Sequence, residues 1–115
     1  MITPHRICYA ARRTAESDYI LCIIVGEASD GCYVIRDIAP DGAEQAEFIP
    51  FDTPRACRHD SVFRVGADVL AVYPHTTTFY RARVVGASND AFVYRVVFEG
   101  EVQSVLIRSQ HIMGL

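Results

Sequence analysis

A chain of 115 residues makes one ordinary domain or two very small ones; with half its residues hydrophobic and 22% charged it can bury a core and is not a disordered chain. The net charge is −3 and all 11 cations are arginines, scattered apart from the pair Arg12-Arg13, which argues against phosphate-backbone binding and weakly for a cationic partner. No apolar run approaches the roughly 20 residues of a membrane span and no secretory signal precedes the first charge, so a soluble intracellular protein is expected.

Apolar runs rich in Val, Ile, Tyr and Phe dominate, and turn clusters break them at 14–18, 27–31, 39–42 and 87–90. That rhythm predicts an all-β chain. Strands are expected near 8–12, 19–25, 32–38 and 47–50, then near 68–73, 79–85, 92–98 and 102–107, with a short closing turn at 110–113. The one stretch with helical character, 41–47, is short and acidic. The connection 53–60, with Pro54, Arg55 and Arg58, reads as a crossover between two halves. Cys8, Cys22, Cys32 and Cys57 form no C-x-x-C pair and no histidine lies at finger spacing, so they read as buried, reduced thiols, and no metal or cofactor is expected. His5, His59, His75 and His111 are isolated, and no Ser or Cys has a base at readable spacing. Catalysis is therefore not expected.

The halves repeat with an offset of 60: Val25-Gly26 recurs as Val85-Gly86, Ala11 as Ala71 and Asp30 as Asp90. Units of this size with four or five bent strands are SH3-like barrels, here expected at 1–58 and 59–115, and two such thin cores must share an interface. The stretch 68–85 reads as a hairpin in which Tyr73 faces Tyr80, Ala71 faces Ala82 and Val69 faces Val84, with Pro74 ending the first strand and the three threonines hydrogen-bonding the loop backbone. Phe92, Tyr94, Val96 and Phe98 would share one face, and a connection at 87–91 would set Tyr80 opposite Phe98. Tyr73, Tyr80 and Phe98 would then converge at one barrel mouth, where the first half offers only Arg13, Ile20 and Ile38. Such a trio either plugs the barrel end or holds a methylated ammonium, each ring contributing on the order of 0.5–2 kcal/mol.

The run Leu70-Ala71-Val72-Tyr73-Pro74-His75-Thr76-Thr77-Thr78-Phe79-Tyr80-Arg81-Ala82 resembles the signature hairpin of the SAGA-associated factor twenty-nine family. Val96-Val97-Phe98-Glu99, Tyr33-Val34-Ile35-Arg36-Asp37-Ile38, Ala10-Ala11-Arg12, Tyr19-Ile20-Leu21-Cys22 and Gln110-His111-Ile112 are similar to further segments of it. The resemblance implies two tightly packed Tudor barrels that read the histone H3 tail di- or trimethylated at its fourth-position lysine, within a SAGA-type histone acetyltransferase complex of the nucleus. No membrane is expected, from the lack of a long apolar run, and no direct nucleic-acid contact, from the acidic balance. It assigns the cage to Tyr73, Tyr80 and Phe98, and the grip on the tail's free amine to an Asp-x-Asp pair. Asp37 matches the first member of that pair; Ala39 stands at the second, with Asp41 two residues on as a substitute. The family's acidic residue two positions after the cage Phe is Gly100 here, flanked by Glu99 and Glu101. His75, Thr77, Glu99 and Glu101 are the remaining candidates for peptide contacts. The competing reading is an SH3-like module for proline-rich peptide or nucleic acid, using the aromatic platform with Arg81 and Arg83. The acidic balance opposes nucleic acid, and both arginines alternate away from the tyrosine face.

Overall fold

The computed structural model describes residues 8–12, 18–27, 33–37, 46–49 and 54–115. Strand alternation converts the apolar runs into two five-stranded antiparallel sheets. The first orders β4-β3-β2-β1-β5, from β1 (Cys8–Ala11), β2 (Ile20–Glu27), β3 (Tyr33–Asp37), β4 (Ala46–Ile49) and β5 (Arg55–Cys57). The second orders β10-β6-β7-β8-β9, from β6 (Asp68–Val72), β7 (Phe79–Ala87), β8 (Val93–Phe98), β9 (Ser104–Arg108) and β10 (Ile112–Gly114). The fold is all-β, two SH3-like barrels packed against each other. Two expectations are corrected. The crossover carries a strand of its own, β5, which pairs with β1. The expected closing turn is a 3₁₀ turn at Ser109–His111 followed by β10, which pairs with β6.

The repeat read from the sequence is visible in the backbone. Ala11 pairs with Ile20 as Ala71 pairs with Tyr80, and Tyr9 pairs with Cys22 as Val69 pairs with Ala82. Both long strands carry an irregularity at the same place, between Ile24 and Gly26 in β2 and between Val84 and Gly86 in β7. A bulge adds one residue to a strand and sharpens its bend, which a barrel this small needs to curl over its own core. At the third strand the offset slips by one: Cys22 faces Asp37, whereas Ala82 faces Phe98. Phe98 therefore corresponds to Asp37 rather than to Ile38.

Each face of the β6–β7 hairpin has its own core. Val69, Ala71, Ala82 and Val84 point into the second barrel with Tyr94, Val96, Phe98, Ile107 and Ile112. Val72 and Phe79 alternate to the other face and pack on Cys8, Ala10, Leu21, Cys57 and Met113. That cluster draws on both sheets and is the seam between them. Backbone bonds reinforce it: the Leu21 N–H donates to the Thr77 carbonyl at 2.7 Å, and the Phe79 N–H to the Tyr19 carbonyl at 3.0 Å. At the far end the Ser109 hydroxyl donates to the Arg58 carbonyl at 2.9 Å, and the Arg55 guanidinium to the Gly114 carbonyl at 2.9 Å. Ser109 is fully buried, so this bond satisfies a hydroxyl that would otherwise cost about 1–3 kcal/mol.

The hairpin register differs by two residues from the sequence expectation. Ala71 faces Tyr80 and Val69 faces Ala82, because the reversal is centred one residue earlier and Tyr73 already belongs to the turn. The Tyr73 N–H donates to the Thr78 carbonyl, and the Thr76 N–H returns to the Tyr73 carbonyl, both at 3.1 Å. Pro74 and His75 are the central residues of that turn, and His75 has φ 67°. Proline at the first central place and a positive φ at the second are the marks of a type II turn. A slip of two preserves faces, so Tyr73 and Tyr80 stay on one side as diagonal neighbours. A β-branched side chain is poorly tolerated at positive φ. His75→Val is expected to cost about 1–2 kcal/mol in urea unfolding, while His75→Gly leaves stability unchanged or raised. Equal stability of His75→Val and the parent chain would contradict this turn.

The β7–β8 connection also departs from expectation. β7 runs on through Gly86 and Ala87, and Val93 begins β8. Phe92 sits in the loop with φ 61° and is 40% exposed, so it does not join the face of Tyr94, Val96 and Phe98. Together with the bulge, this sets Phe98 opposite Ala82 instead of Tyr80.

Candidate functional site

The two register changes leave the aromatic trio together. Tyr73 directly follows β6 at the mouth of the second barrel, Tyr80 is the second residue of β7, and Phe98 closes β8. The Tyr73 ring centroid lies 5.6 Å from that of Tyr80 and 4.9 Å from that of Phe98, at interplanar angles of 79° and 60°. Rings meeting at such angles are adjoining walls rather than a stack. They are graded in depth: Tyr80 is 48% exposed, Tyr73 is half-buried and Phe98 is 2% exposed. Tyr80 is thus the rim, Tyr73 a wall and Phe98 the floor.

One carboxylate is built into the wall. The Tyr73 hydroxyl donates to Oε2 of Glu101. The turn 98–101 delivers that acid. Its Glu101 N–H donates to the Phe98 carbonyl at 2.9 Å, and Gly100 adopts φ 86° so that the chain folds back on Tyr73. A Cβ at Gly100 would find open space, but the backbone would be strained. The glycine at the place where the resemblance sets an acid therefore makes the turn, and the acid comes one residue later. The bond to Glu101 and then its charge raise the Tyr73 pKa above 10, the ordinary tyrosine value. The protonated phenol is the bonded form, so the bond's contribution is present below pH 10 and is lost as pH rises through the raised value. An ultraviolet titration should show one tyrosine ionising late, and Glu101→Gln should move it back toward 10. Superimposable titration curves for the two chains would contradict the pairing.

Two open hollows flank the rings. One, of about 520 Å³, lies on the Tyr80 side and is lined by Asp18, Tyr19, Phe79, Tyr80 and Glu99. It joins the entry to β2 of the first sheet with the rim of the trio. The other, of about 500 Å³, runs over the outer side of β6–β8 past Arg81, Arg83, Glu99 and Glu101. Glu99 borders both. Arg83 is engaged with Asp68 at 3.2 Å across the β6–β7 pair.

The other sequence candidates divide. Thr77 gives its carbonyl to Leu21 and so belongs to the seam. His75 is exposed at the tip of its turn. Asp37 ends β3, opposite Cys22, in the position that Phe98 holds in the second sheet. Ala39 and Asp41 lie outside the described residues. Sequence reasoning included Glu101 but not its bond to Tyr73, and it missed Asp18 and Tyr19 beside Tyr80. Both relations cross long stretches of chain that local periodicity does not connect.

A family model for the SGF29 tudor-like domain matches residues 5–113. The SAGA complex subunit SGF29 of Saccharomyces cerevisiae is 32% identical over 108 residues, a match covering 83% of this chain and 39% of that protein. The chain thus corresponds to well under half the length of this relative. Among solved structures, the crystal structure of Arabidopsis thaliana AGDP1 AGD34 gives a TM-score of 0.49 at 12% identity, covering 100% of this chain and 83% of that one. With the family model spanning almost the whole sequence, the chain belongs to the SGF29 tudor-like domain family.

Proposed function

We propose that this chain is a histone methyl-lysine reader: it binds the N-terminal tail of histone H3 di- or trimethylated at the fourth lysine, as part of a SAGA-type acetyltransferase complex in the nucleus. The observation that carries this is the convergence of Tyr73, Tyr80 and Phe98 at one barrel mouth. Ring faces attract a methylated ammonium through their quadrupoles, and the methyl groups gain apolar contact. Glu101 adds negative charge at the wall through its bond to the Tyr73 hydroxyl. Phe98 is the deepest of the three rings and Tyr80 the most exposed, so a ligand would meet Tyr80 first.

Position specificity follows from the repeat. Asp37 holds in the first sheet the register position that Phe98 holds in the second. The two barrels would offer equivalent mouths, one acidic for the tail's amine, with Asp37 and Asp41 as its ligands, and one aromatic for the methylated lysine. We place the division between them at 58/59. A rigid seam between the sheets would set the spacing and so count the residues between the two ends of the ligand. A short extended peptide in such a groove binds with micromolar affinity, about −7 to −8 kcal/mol.

The test is calorimetric titration with H3 tail peptides, varying methylation of the fourth lysine and acetylation of the amine independently. Trimethylation should tighten binding about 10-fold or more, and acetylation should weaken it. Equal affinity for methylated and unmethylated peptides would overturn the proposal. Tighter binding to proline-rich peptide or single-stranded nucleic acid would favour the SH3-like alternative.

A further inference from the structure

Cys8 and Cys57 are direct partners across the antiparallel pair of β1 and β5. They are 4% and 3% exposed and pack in the same cluster, against Leu21, Val72, Phe79 and Met113. Directly opposed residues share a face of the sheet, so the two thiols are neighbours within the seam. We propose that this pair is an oxidation site, which a peroxide converts into a cross-strand disulfide stapling β1 to β5. Opposed Cβ atoms in such a pair lie about 4.5–5.5 Å apart, and a disulfide needs roughly 3.5–4.5 Å, so closure takes a movement of about 1 Å. Cys22 belongs elsewhere: it faces Tyr9, its thiol donates to the Tyr9 carbonyl at 3.6 Å, and it packs with Ala11 and Ile35.

The chemistry balances with the peroxide as oxidant. A thiolate of the pair attacks one peroxide oxygen, the O–O bond breaks, and a sulfenic acid and one water form. The opposing thiol attacks the sulfenic sulfur, the S–S bond forms, and the S–O bond breaks to release a second water. The two sulfurs give up two electrons, the peroxide takes them, and both thiol protons end on water. Burial, and then the neighbouring Cys8, push the Cys57 thiol up to about 11. Thiolate is scarce at neutral pH, so the reaction is slow and accelerates as pH rises.

The staple would act where the sheets are joined. β5 leads into the segment that the second sheet holds through Arg55 to the Gly114 carbonyl and through the Arg58 carbonyl to Ser109. The inference is independent of any histone ligand. The test treats the whole chain with dilute hydrogen peroxide and compares it with the dithiothreitol-reduced form. Intact mass should fall by about 2 Da, and peptide mapping should recover Cys8 joined to Cys57. Tm should rise on the order of 10 °C and return on reduction. Cys57→Ala and Cys8→Ala should each abolish the mass loss. Mapping on the unsubstituted chain decides the matter even if a variant folds poorly. Oxygen addition without mass loss, or a bridge through Cys22 or Cys32, would overturn the proposal.

Discussion

Replacing Tyr73 with alanine is expected to remove methyl discrimination. Tyr73 is the ring that touches both of the others, at 5.6 Å from Tyr80 and 4.9 Å from Phe98, so its loss opens the wall between rim and floor. One ring contributes about 1–2 kcal/mol to a desolvated cation, which predicts a loss of affinity of about 5- to 30-fold for a trimethylated H3 peptide. Affinity for the unmodified peptide should barely change, so the ratio of the two falls toward one. Tyr73→Phe separates the ring from the hydroxyl. It keeps the aromatic face and loses the bond to Glu101, and should retain most of the discrimination. Circular dichroism guards against misfolding, since Tyr73 also packs against the barrel core. An unchanged affinity ratio for Tyr73→Ala would remove this residue from the site.

The largest effect on stability is expected one residue before Tyr80, on the opposite face. Phe79 is 3% exposed and fills the seam between the sheets with Val72, Leu21, Cys57 and Met113. Phe79→Ala loses the transfer free energy of a ring and leaves a cavity, costing about 3–5 kcal/mol. Against the roughly 5–15 kcal/mol that holds a domain together, that brings the chain close to unfolding. Urea unfolding should still be a single transition at a much lower midpoint, because both sheets depend on this cluster. A change below about 1 kcal/mol would show that the seam is not packed as described. The remaining folded protein should keep its methyl discrimination, since Phe79 faces away from the trio.

These neighbours also show what the sequence makes legible. Alternation along 68–85 and 92–98 is strong enough to assign faces, and faces survive a register slip of two. The trio was therefore readable although both pairings were displaced. Register itself was not readable. It depended on the left-handed backbone at His75 and Phe92 and on the bulge between Val84 and Gly86; His only raises the odds of a positive φ, and Phe gives no sign of one. β5 was missed because three residues beside a proline carry no periodicity, and only pairing with β1 makes them a strand. The seam was expected from the thinness of two small cores. Its members, Cys8, Leu21, Val72, Phe79 and Met113, come from distant parts of the chain, and only the folded arrangement names them. The same holds for Glu101, whose bond to Tyr73 spans 28 residues.

The most direct measurement is nuclear Overhauser contact between the N-methyl protons of a trimethyl-lysine H3 peptide and the aromatic protons of this chain. Contacts to Tyr73, Tyr80 and Phe98 together are predicted. A bound peptide whose methyl protons touch none of these rings would contradict a cage at the mouth of the second barrel.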